Sequence, residues 1–125
     1  MDITKQMSYW IEGANSDIET AELLIQNRKL LHGLFFCHLT IEKILKASVV
    51  KTTLEIPPKT HNLLRLQELA IVSLVKDELQ LLDVLMIYQL EGRYPEYYPE
   101  IPTISFASDI LTRTKTLLQC LKEKL

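Results

Sequence analysis

The chain has no excess of either charge, no long apolar run and little cysteine. Fourteen basic residues against sixteen acidic ones leave a net charge of −2, so the totals do not point to a protein that coats nucleic acid or lies on a membrane surface. Any anion site must be local. No segment reaches the roughly 18 uninterrupted apolar residues that a bilayer-spanning helix needs. Cys37 and Cys120 fall at apolar positions of predicted helices, where a free cysteine behaves as a small hydrophobe, and a disulfide framework would use more of them. The histidines and cysteines form no CxxC or HxxxH pair, which argues against zinc, and neither a metal nor a cofactor is expected. The N-terminus MDITKQMSYW lacks the basic start and apolar core of a signal peptide, which makes a cytoplasmic location the expectation. No strand signal, internal repeat or low-complexity tail is present.

What is present is helical periodicity. The stretch Leu30 to Lys51, LLHGLFFCHLTIEKILKASVVK, is the centre of the chain. At about 100° per residue, Leu34, Cys37, Ile41, Ile44 and Ser48 share one face, and Phe36, Ala47 and Val50 extend the apolar cover most of the way round. A helix this apolar belongs in the middle of a fold. Its ionisable groups are confined: His38, Glu42 and Lys46 follow at i, i+4 and i+8 and so form one stripe, with Lys43 beside it.

The elements around it are also helical. Thr4 to about Asn27 repeats apolar residues every three or four positions, with Gly13 inside, where a close helix approach is expected. Asp17 sits at the edge of that apolar stripe, either facing a neighbouring helix or standing as a solvated flank residue. The central helix should end near Thr52 or Thr53, before Pro57 and Pro58. Thr60 is expected to cap a short helix through Ala70, with His61 in its first turn, a position suited either to a local hydrogen bond or to an anion. Ser73 to Leu90 predicts a fourth helix stopped by Gly92. Arg93 to Pro102 holds three prolines and three tyrosines and must be an extended loop. It is either a stiff strap over the helix ends or a ligand or partner surface built from Arg93, Tyr94, Tyr97 and Tyr98. Ser105 is expected to cap the last helix.

The resulting fold class is all-α: one domain over 1–125, an up-and-down antiparallel bundle of four main helices plus a short one at 61 to 71. An apolar fraction of 47% exceeds what a small bundle needs, which predicts a homodimer through the first and last helices or the tyrosine-rich loop.

Four pieces in order carry a resemblance: Tyr9-Trp10, Ala14, Asp17 and Ala21 in the first helix; Phe36-Cys37-His38, Ile41-Glu42-Lys43 and Leu45-Lys46-Ala47 in the second; Pro58-Lys59-Thr60-His61-Asn62-Leu63; and Arg93-Tyr94-Pro95. Together they resemble the HEPN superfamily over nearly the whole chain. The resemblance implies an all-helical, usually dimeric protein in one of two roles. One is a metal-independent RNase, often a toxin. The other is a nucleotide- or substrate-binding partner of a minimal nucleotidyltransferase, similar to the helical domain of kanamycin nucleotidyltransferase. The RNase branch carries an arginine and a histidine separated by four to six residues late in the bundle. Here no histidine follows Arg93, and Arg28 and His32 lie early with only three residues between them.

The expectation is therefore a non-catalytic HEPN-like binding module, with no catalytic residue assigned, that docks a minimal nucleotidyltransferase in a toxin–antitoxin-like system. Its candidate surface for nucleotide, acceptor substrate or RNA is Asp17, Glu42, Lys43, Lys46, His61 and Arg93. Lysines neutralise phosphate and arginine grips it bidentately. The alternatives are an RNase toxin with a variant site and a structural helical adaptor. In a purely structural reading, Glu42 and Lys46 pair with each other and with Asp17 or Arg93, and Arg93 holds the strap through a carboxylate such as Glu42 or Asp17.

Overall fold

A computed structural model covers residues 1–125 and contains helices and no strands. The helices are α1 (Ile3–Gln26), α2 (Leu30–Thr53), α3 (Leu63–Ala70), α4 (Lys76–Ile87) and α5 (Ile104–Glu123), with a single 3₁₀ turn at Pro95–Tyr97. The four main helices and one short helix match the expected bundle. No helix is long and apolar enough to cross a membrane.

Side-chain pairs fix the directions. Trp10 lies beside Lys46, Asp17 beside Lys43 and Ile25 beside Gly33, so α1 and α2 run antiparallel. Lys115 meets Glu22 and Lys122 meets Asn15, so α5 also opposes α1. Arg113 reaches Asp77 while Phe106 packs near Tyr88, which makes α4 and α5 antiparallel. The topology is up-down-up-down around α2. Leu34, Cys37, Ile41 and Ile44 of α2 are fully buried, as the apolar face of a central helix requires.

The tight α1–α2 crossing depends on Gly33, where an added Cβ would lie 2.5 Å from Ile25 Cγ1 and 3.4 Å from the Ala21 carbonyl oxygen. At Gly13, where the sequence points to a close approach, the neighbour is the stem of Lys43. The helix is close there, but what it admits is a flexible side chain.

Three helices differ at their ends from the sequence expectation. α3 is capped by Asn62, whose Oδ1 accepts from the Arg65 amide at 3.1 Å, while Thr60 Oγ1 accepts from the Asn62 amide one step earlier. His61 therefore precedes the helix instead of lying in its first turn. α5 is capped by Thr103 through the Phe106 amide, not by Ser105. α4 is shorter than 73–90 at both ends. Ser73 and Val72 give their carbonyls to Lys124 and Gln67, and Glu78 accepts from the Val75 amide, so the helix begins at Lys76. At the other end Arg93 captures the carbonyl oxygens of Ile87 and Gln89. In a continued helix the Ile87 oxygen would accept from the residue-91 amide. The helix stops at Ile87, and Gly92, with φ +80°, turns the chain only later.

Candidate functional site

The polar stripe of α2 is buried because α1 covers one flank and the loop before α3 covers the other. At its centre Glu42, with 5% of its side chain exposed, accepts from His61 Nδ1 at 2.8 Å through Oε1 and from Lys46 Nζ at 3.1 Å through Oε2. His38 is fully buried one turn away. Its Nε2 lies 3.1 Å from the His61 carbonyl oxygen. A carbonyl can only accept, so Nε2 carries the hydrogen and Nδ1 is bare when the ring is neutral. Nδ1 is 3.7 Å from Glu42 Oε1, beyond hydrogen-bond reach. Burial pushes the imidazole down from 6.5 to about 4, against the opposing pull of Glu42.

His61 is thus held twice by α2, its backbone by His38 and its ring by Glu42. The far ring nitrogen, Nε2, lies 3.4 Å from Glu91 Oε2, in the turn after α4. Lys46 Nζ also sits 5.1 Å from the centroid of the Trp10 ring, a cation–π contact that gives a buried ammonium a second source of stabilisation.

A second pair lies beside this joint. Lys43 Nζ is 2.7 Å from Asp17 Oδ2, a charge contact spanning α2 and α1, and Asp17 is buried. Asp17 is therefore not a solvated flank residue but faces the neighbouring helix. Of the six candidate positions, Glu42, Lys46 and His61 meet at one point and Asp17 and Lys43 at another. All five are engaged with protein groups, so the two lysines arrive already neutralised.

Arg93 stands apart and corrects the expected carboxylate pairing. Its Nη1 donates to the carbonyls of Ile87 at 3.0 Å and Gln89 at 3.1 Å, and its Nη2 donates to the carbonyl of Tyr97. It does hold the strap and the end of α4, but through backbone oxygens. The last carbonyls of a terminating helix have no amide partner within the helix and are free to accept from the guanidinium. Tyr94 and Tyr97 are exposed, whereas Tyr98 is half-buried beside His32, with ring centroids 6.4 Å apart at 80°.

These groups border an open cleft of about 450 Å³ lined by His32, Phe35, Leu90, Glu91, Gly92, Arg93 and Tyr98. Sequence reasoning missed His32 and Glu91. In the sequence His32 stands out only as a neighbour of Arg28, and no spacing rule connects it to Arg93. Glu91 carried no signal, yet it touches His61 and lines this cleft. His38 was legible as a member of the stripe but not as the hydrogen-bond donor to the loop.

The buried pairs supply structure and charge balance but no free nucleophile or base. Cys37 is sealed in the core, where burial pushes its thiol up to about 12, so it stays protonated. No group of three or more His, Cys, Asp and Glu side chains is arranged to hold a metal ion. The open chemistry is that of the cleft, where an arginine with unspent N–H groups meets two aromatic rings.

A family model described as HEPN domain matches residues 7–125. No curated protein and no solved structure matches the chain.

Proposed function

The chain belongs to the HEPN domain family, and from that premise we propose that it is a non-catalytic HEPN module, a homodimer that partners a minimal nucleotidyltransferase and helps to bind nucleotide or acceptor substrate in a toxin–antitoxin-like system. The observation that carries the non-catalytic part is the engagement of Arg93. Three of its N–H groups serve backbone carbonyls, and no histidine follows it in the chain. Metal-independent RNA cleavage asks for a base to activate the 2′-hydroxyl and a cation free to stabilise the phosphorane. An arginine committed to helix and strap is better suited to holding a ligand than to following charge through a reaction.

The dimer is supported by apolar surface around the strap: Ile87, Tyr94, Tyr97 and Ile101 are each more than half exposed, and Ile104 and Phe106 are partly exposed. Light scattering should give twice the mass of the chain. Co-expression with a minimal nucleotidyltransferase should yield a complex, and calorimetry should show heat with a nucleotide. No complex and no heat with any nucleotide would remove this reading.

A second reading, a metal-independent RNase toxin, is favoured by one observation: His32 and Arg93, remote in sequence, line the same cleft. Incubating purified protein with a structured transcript in the presence of a chelator tests it. Cleavage that disappears in His32→Ala would put the nuclease first.

A further inference from the structure

The two ring nitrogens of His61 have different surroundings, and one of them has its role fixed. Nδ1 lies 2.8 Å from Glu42 Oε1, and a carboxylate can only accept, so Nδ1 carries the hydrogen. In the neutral ring Nε2 is then a bare lone pair. It lies 3.4 Å from Glu91 Oε2, in the turn after α4. Two electron-rich atoms from distant segments of the chain thus face each other where solvent reaches them, because Glu91 is exposed and His61 is partly exposed.

The separation is informative. A charge-assisted hydrogen bond between a ring nitrogen and a carboxylate closes to about 2.7–2.9 Å, and this contact is longer. Two ligand atoms held on one ion at about 2.1 Å each, at the tetrahedral angle, lie about 3.4 Å apart. The charges agree with that spacing. Glu42 gives its second oxygen to Lys46 and Asp17 is paired with Lys43, whereas Glu91 is paired with no lysine or arginine. Arg93, two residues further on, is committed to the carbonyls of Ile87, Gln89 and Tyr97. A metal-ligating histidine characteristically donates its other ring N–H to a carboxylate, which fixes the tautomer and makes the ligating nitrogen more basic. Glu42 does this for His61 from a buried position.

We propose that His61 Nε2 and Glu91 Oε2 bind a divalent transition ion of the Zn²⁺ class, with Glu42 as the positioning residue behind the imidazole and water in the remaining coordination positions. Two protein ligands make an open, exchangeable site, in keeping with the lack of any larger cluster of metal-binding side chains. One imidazole and one carboxylate suit Zn²⁺ and its neighbours in the transition row, whereas Mg²⁺ prefers oxygen and keeps its waters. The pair leaves no CxxC or HxxxH signature because its members come from two loops. A bound ion joins the loop before α3 to the turn after α4 and, through Glu42, both to α2. The site is independent of the nucleotide-binding reading above.

The test uses the full chain with ZnCl₂ and, separately, MgCl₂. Calorimetry reads stoichiometry and affinity, and nitrogen-detected spectra of the histidine rings read which nitrogen responds. The expected result is one Zn²⁺ per chain with the response at His61 Nε2, and none with Mg²⁺. Glu91→Gln, at an exposed position, should melt with the wild type in the absence of metal, bind Zn²⁺ about tenfold more weakly or worse, and lose the rise in melting temperature that Zn²⁺ gives the wild type. His32→Ala should bind as the wild type does. No heat with millimolar Zn²⁺, or a His61 Nε2 that stays protonated and unmoved by it, would make the contact an ordinary ion pair and overturn the proposal. Equal affinity in Glu91→Gln, or loss of binding in His32→Ala, would place the ion elsewhere and overturn it too.

Discussion

His38 and His61 are joined across the bundle by one hydrogen bond, the Nε2–H of the first donating to the backbone carbonyl of the second at 3.1 Å. This bond needs only a neutral imidazole, and burial keeps His38 neutral. Protonation would place a cation against Lys46 and ask for a second share of a Glu42 oxygen that His61 already occupies. Protonation would leave that Nε2–H in place, so acid acts on the fold through the cost of a buried charge on His38.

The first prediction is a pH dependence. The group sits at about 4 in the folded chain and at 6.5 when unfolded, so between those values the unfolded chain holds a proton that the folded chain lacks. Stability is therefore full above 6.5 and falls as pH drops toward 4. The loss is on the order of 3 kcal/mol at most, from about 1.4 kcal/mol per pKa unit. Urea unfolding through that window should show the slope, and His38→Gln, which keeps an N–H donor and does not titrate, should flatten it. Parallel profiles for the two proteins would rule out His38 as the source.

The second prediction concerns Glu42. Glu42→Gln leaves the ammonium of Lys46, only 8% exposed, without its counter-charge, and a buried pair broken from one side costs about 3–5 kcal/mol. Glu42→Gln combined with Lys46→Met should recover part of the loss because no orphan charge remains. Thermal melts of the two single variants and the double variant check this; strictly additive losses would mean that the two side chains do not depend on each other.

Periodicity made the bundle and the buried stripe legible, because a 3.6-residue repeat reports which face is inside regardless of what covers it. Spacing within α2 likewise made the Glu42–Lys46 pair legible as one of the alternatives. What covers the stripe was not legible. His61 reaches Glu42, and Glu91 reaches His61, from loops, and contacts between distant segments leave no local pattern. Arg93 shows the same limit in another form: its role as an anchor was readable from its place beside the strap, but its acceptors are carbonyls, which every residue has. The helix caps slipped for a related reason, since Thr60 and Asn62, or Thr103 and Ser105, are chemically equivalent signals, and the packing chooses between them.

A third prediction separates two glycines. In Gly33→Ala the new Cβ would press on Ile25 Cγ1 at 2.5 Å with the Ala21 carbonyl behind it, so α1 and α2 must move apart at a cost of about 1–3 kcal/mol. In Gly13→Ala the only close group is the Lys43 stem, at 2.9 Å. A flexible stem can shift, and the gain in helix propensity of up to about 1 kcal/mol offsets the disturbance. Denaturant midpoints should fall clearly for the first and stay near wild type for the second. Equal losses would show that the crossing at Gly33 has more room than its geometry implies.

The last prediction follows from what Arg93 binds. Its acceptors are neutral carbonyls at an exposed position, so Arg93→Ala should cost only about 1 kcal/mol of global stability. The local effect should be much larger, because Arg93 is the side chain that joins the strap, at the Tyr97 carbonyl, to the end of α4, at the Ile87 and Gln89 carbonyls, and chymotrypsin should cut after Tyr94, Tyr97 and Tyr98 several-fold faster. Arg93→Lys keeps the charge but loses the planar fork that reaches three oxygens at once, so it should resemble alanine in the digestion. An ion pair would weaken from low to molar salt, whereas bonds to uncharged carbonyls should be far less sensitive. Digestion of the wild type at both salt levels, beside the two variants, tests this. A strap that loosens strongly in salt, with Lys restoring full protection, would mean that Arg93 works as a point charge and not through the geometry of its three carbonyl bonds.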